Sequence, residues 1–153
     1  MKLTVTSFAA ALLLAGPVFA DAHASGDAAA GEDAFKNCKT CHAIIDAEGT
    51  EIQRGAKVGP NLYGVLGRQL GSVEDFRYSD GLVAVGETGV VWDEATFVAW
   101  TLDPSAYLSD TLGSRERSKM TYKLRDEEDA INLWAYLVSV GPEVDAAEAA
   151  VSN

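Results

Sequence analysis

The chain has 153 residues, 48% of them apolar and 23% charged, and its 23 acidic against 12 basic residues leave a net charge of −11. Such an acidic balance excludes nucleic acid as a partner, because binding a polyanion requires Lys and Arg to neutralise its phosphates. The length suits one modest domain with a limited core.

Residues 1–20 read as a secretory signal peptide. Lys2 supplies the basic start, Phe8 to Leu14 the apolar stretch, and Val18-Phe19-Ala20 a small-residue cleavage signal before Asp21. The apolar stretch falls short of the roughly 20 residues that a membrane span needs, and Gly16-Pro17 interrupts it, so cleavage is expected and no stable membrane insertion after it. Residues 21–30 are rich in Ala, Gly, Asp and Ser and read as a flexible leader. A domain over 31–142 follows. Its first expected element is a short helix from Gly31 to Cys41, and Glu48 to Gly71 reads as loop because glycines and Pro60 punctuate it.

Two helices are better marked. Trp92 to Leu102 has Asp93 as N-cap, sets Thr96, Phe97 and Trp100 on one face, and stops at Asp103-Pro104. Asp126 to Val140 begins with a capping aspartate and three acids that complement the helix dipole. Its Ala130, Ile131, Leu133, Trp134, Leu137 and Val138 recur at helical spacing, and Gly141-Pro142 ends it. This stripe is expected to pack in the core against the first helix. Residues 143–153 form an Ala/Glu-rich tail. With little strand signal, the fold class is all-α.

Chemistry concentrates in Cys38-Lys39-Thr40-Cys41-His42, a C-x-x-C-H pentapeptide holding both cysteines of the chain. This is the attachment signature of c-type haem: each thiol can add to one vinyl group, and the imidazole that follows can ligate the iron. A zinc site would need about four ligands, whereas only these three lie close together and His23 is far away. A dithiol oxidoreductase would sit in a βαβ setting, and no strand run precedes Cys38. The apolar shell around a haem would also enlarge a small core.

Elimination identifies the second iron ligand. Met1 leaves with the signal peptide, so Met120 is the one thioether remaining, and His23 lies in a leader where ordering it would cost chain entropy. Met120 also sits in a polar, basic segment rather than an apolar stripe, which weakens a core-filling role. Arg115, Arg117, Lys119, Lys123 and Arg125 crowd that segment with only Glu116 as an acid, while Lys36 precedes the haem motif and Lys39 lies within it. If Met120 meets the iron, these cations rim the haem edge and steer an acidic redox partner toward it.

The chain resembles a bacterial class I cytochrome c of the cytochrome c2 or c-550 type, isocytochrome c2 included, from Gly31 and Phe35 through the haem motif to Tyr136. Gly59-Pro60-Asn61-Leu62 followed by Leu66-Gly67-Arg68 resembles the family's histidine-side segment. The resemblance implies that the Pro60 carbonyl accepts a hydrogen bond from His42. Phe76-Arg77-Tyr78-Ser79-Asp80 resembles the propionate-side loop, which makes Arg68 and Tyr78 candidates for the haem carboxylates, with Trp92 as an indole donor. Gly31, Phe35, Trp134 and Tyr136 resemble the crossing of the terminal helices. Trp100 stands where the family has a tyrosine near the methionine sulfur, and an indole cannot accept a hydrogen bond. The stretches from His42 to Pro60 and from Pro104 to Met120 are longer than in compact members.

The resemblance implies short helices wrapped around one haem c, tethered by Cys38 and Cys41 and ligated by His42 and Met120. It further implies a monomeric periplasmic one-electron carrier, not an enzyme, working between a cytochrome bc1 complex and a terminal oxidase or photosynthetic reaction centre. A peroxidase-like haem enzyme or a gas-binding haem sensor is the alternative should Met120 be labile.

Overall fold

Asp27 starts the first helix. Its carboxylate accepts the N–H groups of Ala29 and Ala30 at 2.8 and 3.2 Å, and α1 runs over Ala28–Ala34. In this computed structural model, which describes residues 24–142, the helix thus begins ahead of the expected Gly31. Ala-rich composition, read as leader, also favours helix once a cap is present. Just upstream, Ser25 bonds Glu94 through both its N–H and its hydroxyl at 2.6 Å, and Asp27 N–H donates to Asn132 Oδ1 at 2.8 Å. The expected signal peptide, residues 21–23 of the leader and the 143–153 tail lie outside the described residues.

The expected crossing of the terminal helices is present. Helix α5, Glu127–Ser139, is capped by Asp126 through Glu128 N–H at 2.9 Å, and it buries Ala130, Leu133, Trp134 and Leu137 as its periodicity required. Gly31 lets α1 lie against it: a Cβ there would overlap the Asn132 carbonyl and come within 2.8 Å of Tyr136 Cβ. Phe35 and Trp134 are both fully buried at this junction, and the Phe35 and Tyr136 rings lie 5.8 Å apart. Burying each such side chain contributes roughly 1.5–3 kcal/mol, so this crossing anchors the domain.

Other features also differ from expectation. The haem-type motif begins in a 3₁₀ turn over Phe35–Thr40 rather than in the α-helix, with Cys41 as the cap of that turn, and Cys41 and His42 both donate their N–H to Cys38 O. Glu51–Gln53, inside the expected loop, form strand β2, which makes a short antiparallel ladder with β1, Ile44–Ile45, a segment given no element from the sequence. Helix α2, Asp80–Glu87, was not legible because it carries Gly81 and Gly86, poor helix formers. Tertiary packing requires Gly86, where a Cβ would overlap Leu70 O; at Gly81 a Cβ would come 3.0 Å from a Glu116 carboxylate oxygen, a side-chain end that can move aside.

Helix α3, Glu94–Leu102, has the expected Asp93 cap, with Asp93 Oδ1 accepting Thr96 N–H at 2.7 Å. It ends at Asp103, yet Pro104 does not end helical structure. Pro104 is the first residue of α4, Pro104–Leu112, where a missing N–H costs nothing. Asp103 caps α4 through Ala106 N–H at 3.1 Å, its other oxygen takes Lys123 Nζ at 2.6 Å, and Leu124 N–H returns to Thr101 O at 2.9 Å. Gly113, at φ 66°, turns the chain out of α4. No helix among the described residues is long and apolar enough to cross a membrane.

Candidate cofactor cavity

The segment after β2 positions the His42 ring through Gly59 and Pro60. Gly59 N–H donates to Cys41 O at 2.7 Å and Ala56 N–H to Lys39 O at 2.9 Å, which lays residues 56–60 along the motif. His42 Nδ1 then lies 2.8 Å from Pro60 O. A carbonyl can only accept, so Nδ1 carries the proton and Nε2 keeps its lone pair. Burial depresses the His42 pKa below its ordinary value, with the Pro60 bond opposing, so the ring is neutral at pH 7.

Gly59, in the Gly59-Pro60-Asn61-Leu62 segment, has a part in the site that its sequence position does not announce. A Cβ there would sit 2.6 Å from Nδ1 and 2.7 Å from Nε2, so the imidazole rests on bare backbone. Asn61 and Arg68 brace the same segment. Asn61 Oδ1 accepts Ile45 N–H and Tyr63 N–H at 3.0 and 3.1 Å while its amide donates to Ile45 O at 2.7 Å. The Arg68 guanidinium donates to Tyr63 O and Asn61 O at 3.0 and 3.2 Å.

The motif opens onto a cavity of about 310 Å³, at the lower end of the ~300–1,000 Å³ typical of ligand pockets. Cys38, Cys41, His42, Pro60, Arg68, Tyr78, Trp92, Trp100 and Met120 all line it. All nine site residues expected from the sequence therefore converge on one space, from segments spread over more than half the chain. Its remaining walls are largely apolar, with Val65, Leu82, Phe97 and Leu133 among them. Trp92 stacks edge-on against Trp100 at 5.8 Å and against Phe97 at 6.4 Å.

The donor set fits a covalently tethered haem. Both cysteines are free thiols at the cavity wall. Burial, reinforced by Cys41, pushes the Cys38 pKa up to about 11, opposite to the lowered value of a nucleophilic redox cysteine. No cluster of three His, Cys, Asp or Glu groups among the described residues could hold a metal ion alone. Arg68 and Tyr78 face the cavity together; burial lowers the Arg68 pKa and raises that of Tyr78, and each partly offsets the shift of the other.

Met120 reaches the cavity from the irregular stretch after α4. Its N–H donates to Ser118 Oγ at 3.0 Å, and Ser118 N–H donates to Ser105 Oγ on α4 at 3.0 Å. The five cations of this stretch are unequal. Lys123 is paired with Asp103, and Lys119 Nζ donates to Arg77 O at 2.9 Å and Tyr78 O at 2.6 Å. Arg115, Arg117 and Arg125 are exposed, with no ion pair among the described residues. The sequence had grouped all five as one rim.

No family model matches the chain. The chain is 51% identical over 119 residues to cytochrome c2 of Rhodovulum adriaticum, covering 76% of this chain and 94% of the relative. It is 50% identical over 141 residues to cytochrome c-551 of Roseobacter denitrificans, covering 92% and 96%. Among solved structures, cytochrome c2 from Rhodobacter sphaeroides superposes with a TM-score of 0.75 at 46% identity, over 78% of this chain and all of that one. Ferric cytochrome c-550 from Paracoccus versutus superposes with a TM-score of 0.73 at 42% identity, over 77% of this chain and all of that one.

Proposed function

Because the chain belongs to the cytochrome c2 and c-550 group of class I c-type cytochromes, haem-carrying electron-transfer proteins rather than enzymes, we propose that it is a periplasmic one-electron carrier. Cys38 and Cys41 would tether a haem c, and His42 and Met120 would ligate its iron. When bound, the haem supplies an iron that alternates between ferric and ferrous forms, one electron at a time.

The protein residues set the conditions for that exchange. Pro60 O fixes the ring orientation of His42 and raises the basicity of Nε2, while Gly59 leaves room for the ring. The apolar walls exclude water and disfavour the extra charge of the ferric state. Arg68, Tyr78 and the Trp92 indole N–H provide donors for the two propionates, and Trp100 offers Met120 a neighbour that can donate a hydrogen bond but not accept one. The observation that carries this reading is the convergence of the nine residues on one cavity, with Nδ1 of His42 2.8 Å from Pro60 O.

Partners are membrane redox complexes, with cytochrome bc1 as donor and a terminal oxidase or reaction centre as acceptor. The exposed Arg115, Arg117 and Arg125 steer the encounter, which stays weak so that the carrier can leave. Residues 1–20 direct export and are removed. A visible spectrum of the purified protein, paired with its intact mass, tests the set. The expected result is a methionine-to-ferric-iron band, no change on adding carbon monoxide to the reduced form, and the mass of the chain from Asp21 plus one haem. Rapid carbon monoxide binding at neutral pH would overturn the ligation.

A further inference from the structure

The stretch from Gly113 to Met120 has no regular secondary structure, so side chains must hold it over the cavity. On one side it is sewn to α4: Ser109 Oγ accepts Glu116 N–H and Ser105 Oγ accepts Ser118 N–H, both at 3.0 Å. On the other side it faces the loop that carries Tyr78 and Ser79, which also line the cavity. Among the described residues, the hydrogen bonds crossing that gap both come from Lys119, whose Nζ donates to Arg77 O at 2.9 Å and Tyr78 O at 2.6 Å. They join residues 42 and 41 positions apart, and the ammonium makes both charge-assisted.

From this we infer that Lys119 is a positioning residue, a clasp that keeps the Met120 loop closed on the Arg77–Tyr78 loop and so sets how readily an outside ligand displaces the methionine sulfur. The inference rests on the proposed ligation by Met120. An incoming ligand binds only the open loop, so its apparent affinity scales with the open fraction. Removing the two bonds raises that fraction. Lys119 is exposed, so its replacement leaves the core intact, and solvent screening limits the effect to about tenfold. Lys119→Arg keeps a donor able to reach a carbonyl and restores most of the closure. A charge that merely sits on the rim would instead be equivalent to its neighbour Arg117.

The test uses the haem-loaded protein and imidazole as the probe, titrated into the ferric form and followed by the Soret shift and loss of the methionine-to-iron band. Lys119→Ala should bind imidazole about tenfold more tightly, Lys119→Arg within twofold of wild type, and Arg117→Gln unchanged. Amide hydrogen exchange should quicken at residues 77–79 and 118–121 in Lys119→Ala alone. Wild-type imidazole affinity and exchange in Lys119→Ala would overturn the clasp, as would an equal gain in Arg117→Gln. A wild-type protein that lacks the methionine band, with affinity indifferent to Met120→Ala, would instead remove the ligation reading, leaving the exchange measurement to decide the clasp.

Discussion

Replacing Gly59 with alanine sets one methyl group against the His42 ring. The new Cβ would overlap Cε1 of the ring and lie 2.6 Å from Nδ1 and 2.7 Å from Nε2, so the ring must withdraw by more than about 1 Å to reach the ~3.5 Å of ordinary contact. The backbone cannot yield easily, because Gly59 N–H is tied to Cys41 O at 2.7 Å. A ring displaced that far stretches its 2.8 Å bond to Pro60 O beyond hydrogen-bond range. Leaving the buried Nδ1–H unsatisfied costs about 1–3 kcal/mol, and the overpacking itself about 1–3 kcal/mol. Together these lower the unfolding temperature by roughly 10–20 °C in a domain of this size. The assay is thermal unfolding of the haem-loaded protein, alongside the exchange rate of the His42 Nδ1–H resonance. Gly89→Ala is the control: Gly89 has φ 90° and open space around it, so alanine there adds backbone strain without touching His42. A Gly59→Ala protein with wild-type unfolding temperature and a protected Nδ1–H would refute the claim that Gly59 makes room for the ligand.

Gly31→Ala should separate α1 from α5, since its Cβ meets the Asn132 carbonyl and Tyr136 Cβ rather than flexible side-chain ends; a loss of about 2–4 kcal/mol in urea unfolding is expected. Before haem is attached, burial holds the His42 pKa below its ordinary value in the fold, so the unfolded chain takes up a proton that the folded chain refuses. Stability from this group is present above the ordinary histidine pKa and falls as the pH drops below it, and unfolding of the haem-free chain at pH 6 should be accompanied by measurable proton uptake. Arg115→Glu with Arg117→Glu should slow electron transfer to membrane partners at low salt and flatten its salt dependence. Lys123→Glu, which removes a partner of Asp103, should instead show mainly as a stability loss under about 1 kcal/mol; equal kinetic effects of the two changes would count against the distinction.

Local chemistry was legible in the sequence. The Asp93 and Asp126 caps, the apolar period of α5 and the spacing of Cys38, Cys41 and His42 are each written within a few residues, and the structure places them as their patterns require. Met120 emerged by elimination, and it lines the cavity. What escaped notice depends on partners distant in the chain. Gly81 and Gly86 look like helix breakers until Glu116 and Leu70 O are seen against them. Pro104 reads as a stop because a proline at the first position of a new helix looks the same as one after an old helix. A run of cations gives no sign of where each charge ends, so the sequence cannot separate Lys119 and Lys123, which are bonded, from arginines without an ion pair among the described residues.

Asp103 joins the end of α3, the start of α4 and Lys123, while Leu124 closes onto Thr101 beside it. Residues 104–123 therefore form an excursion whose two ends are knotted together at its base. Length changes beyond the knot leave Trp100 and the α3 wall where they are, and the closure entropy of the excursion grows only with the logarithm of its length. The outer part of this excursion, residues 113–117, can in this way be lengthened or trimmed, altering the surface the carrier presents while Met120, itself within the excursion, keeps its place at the cavity wall.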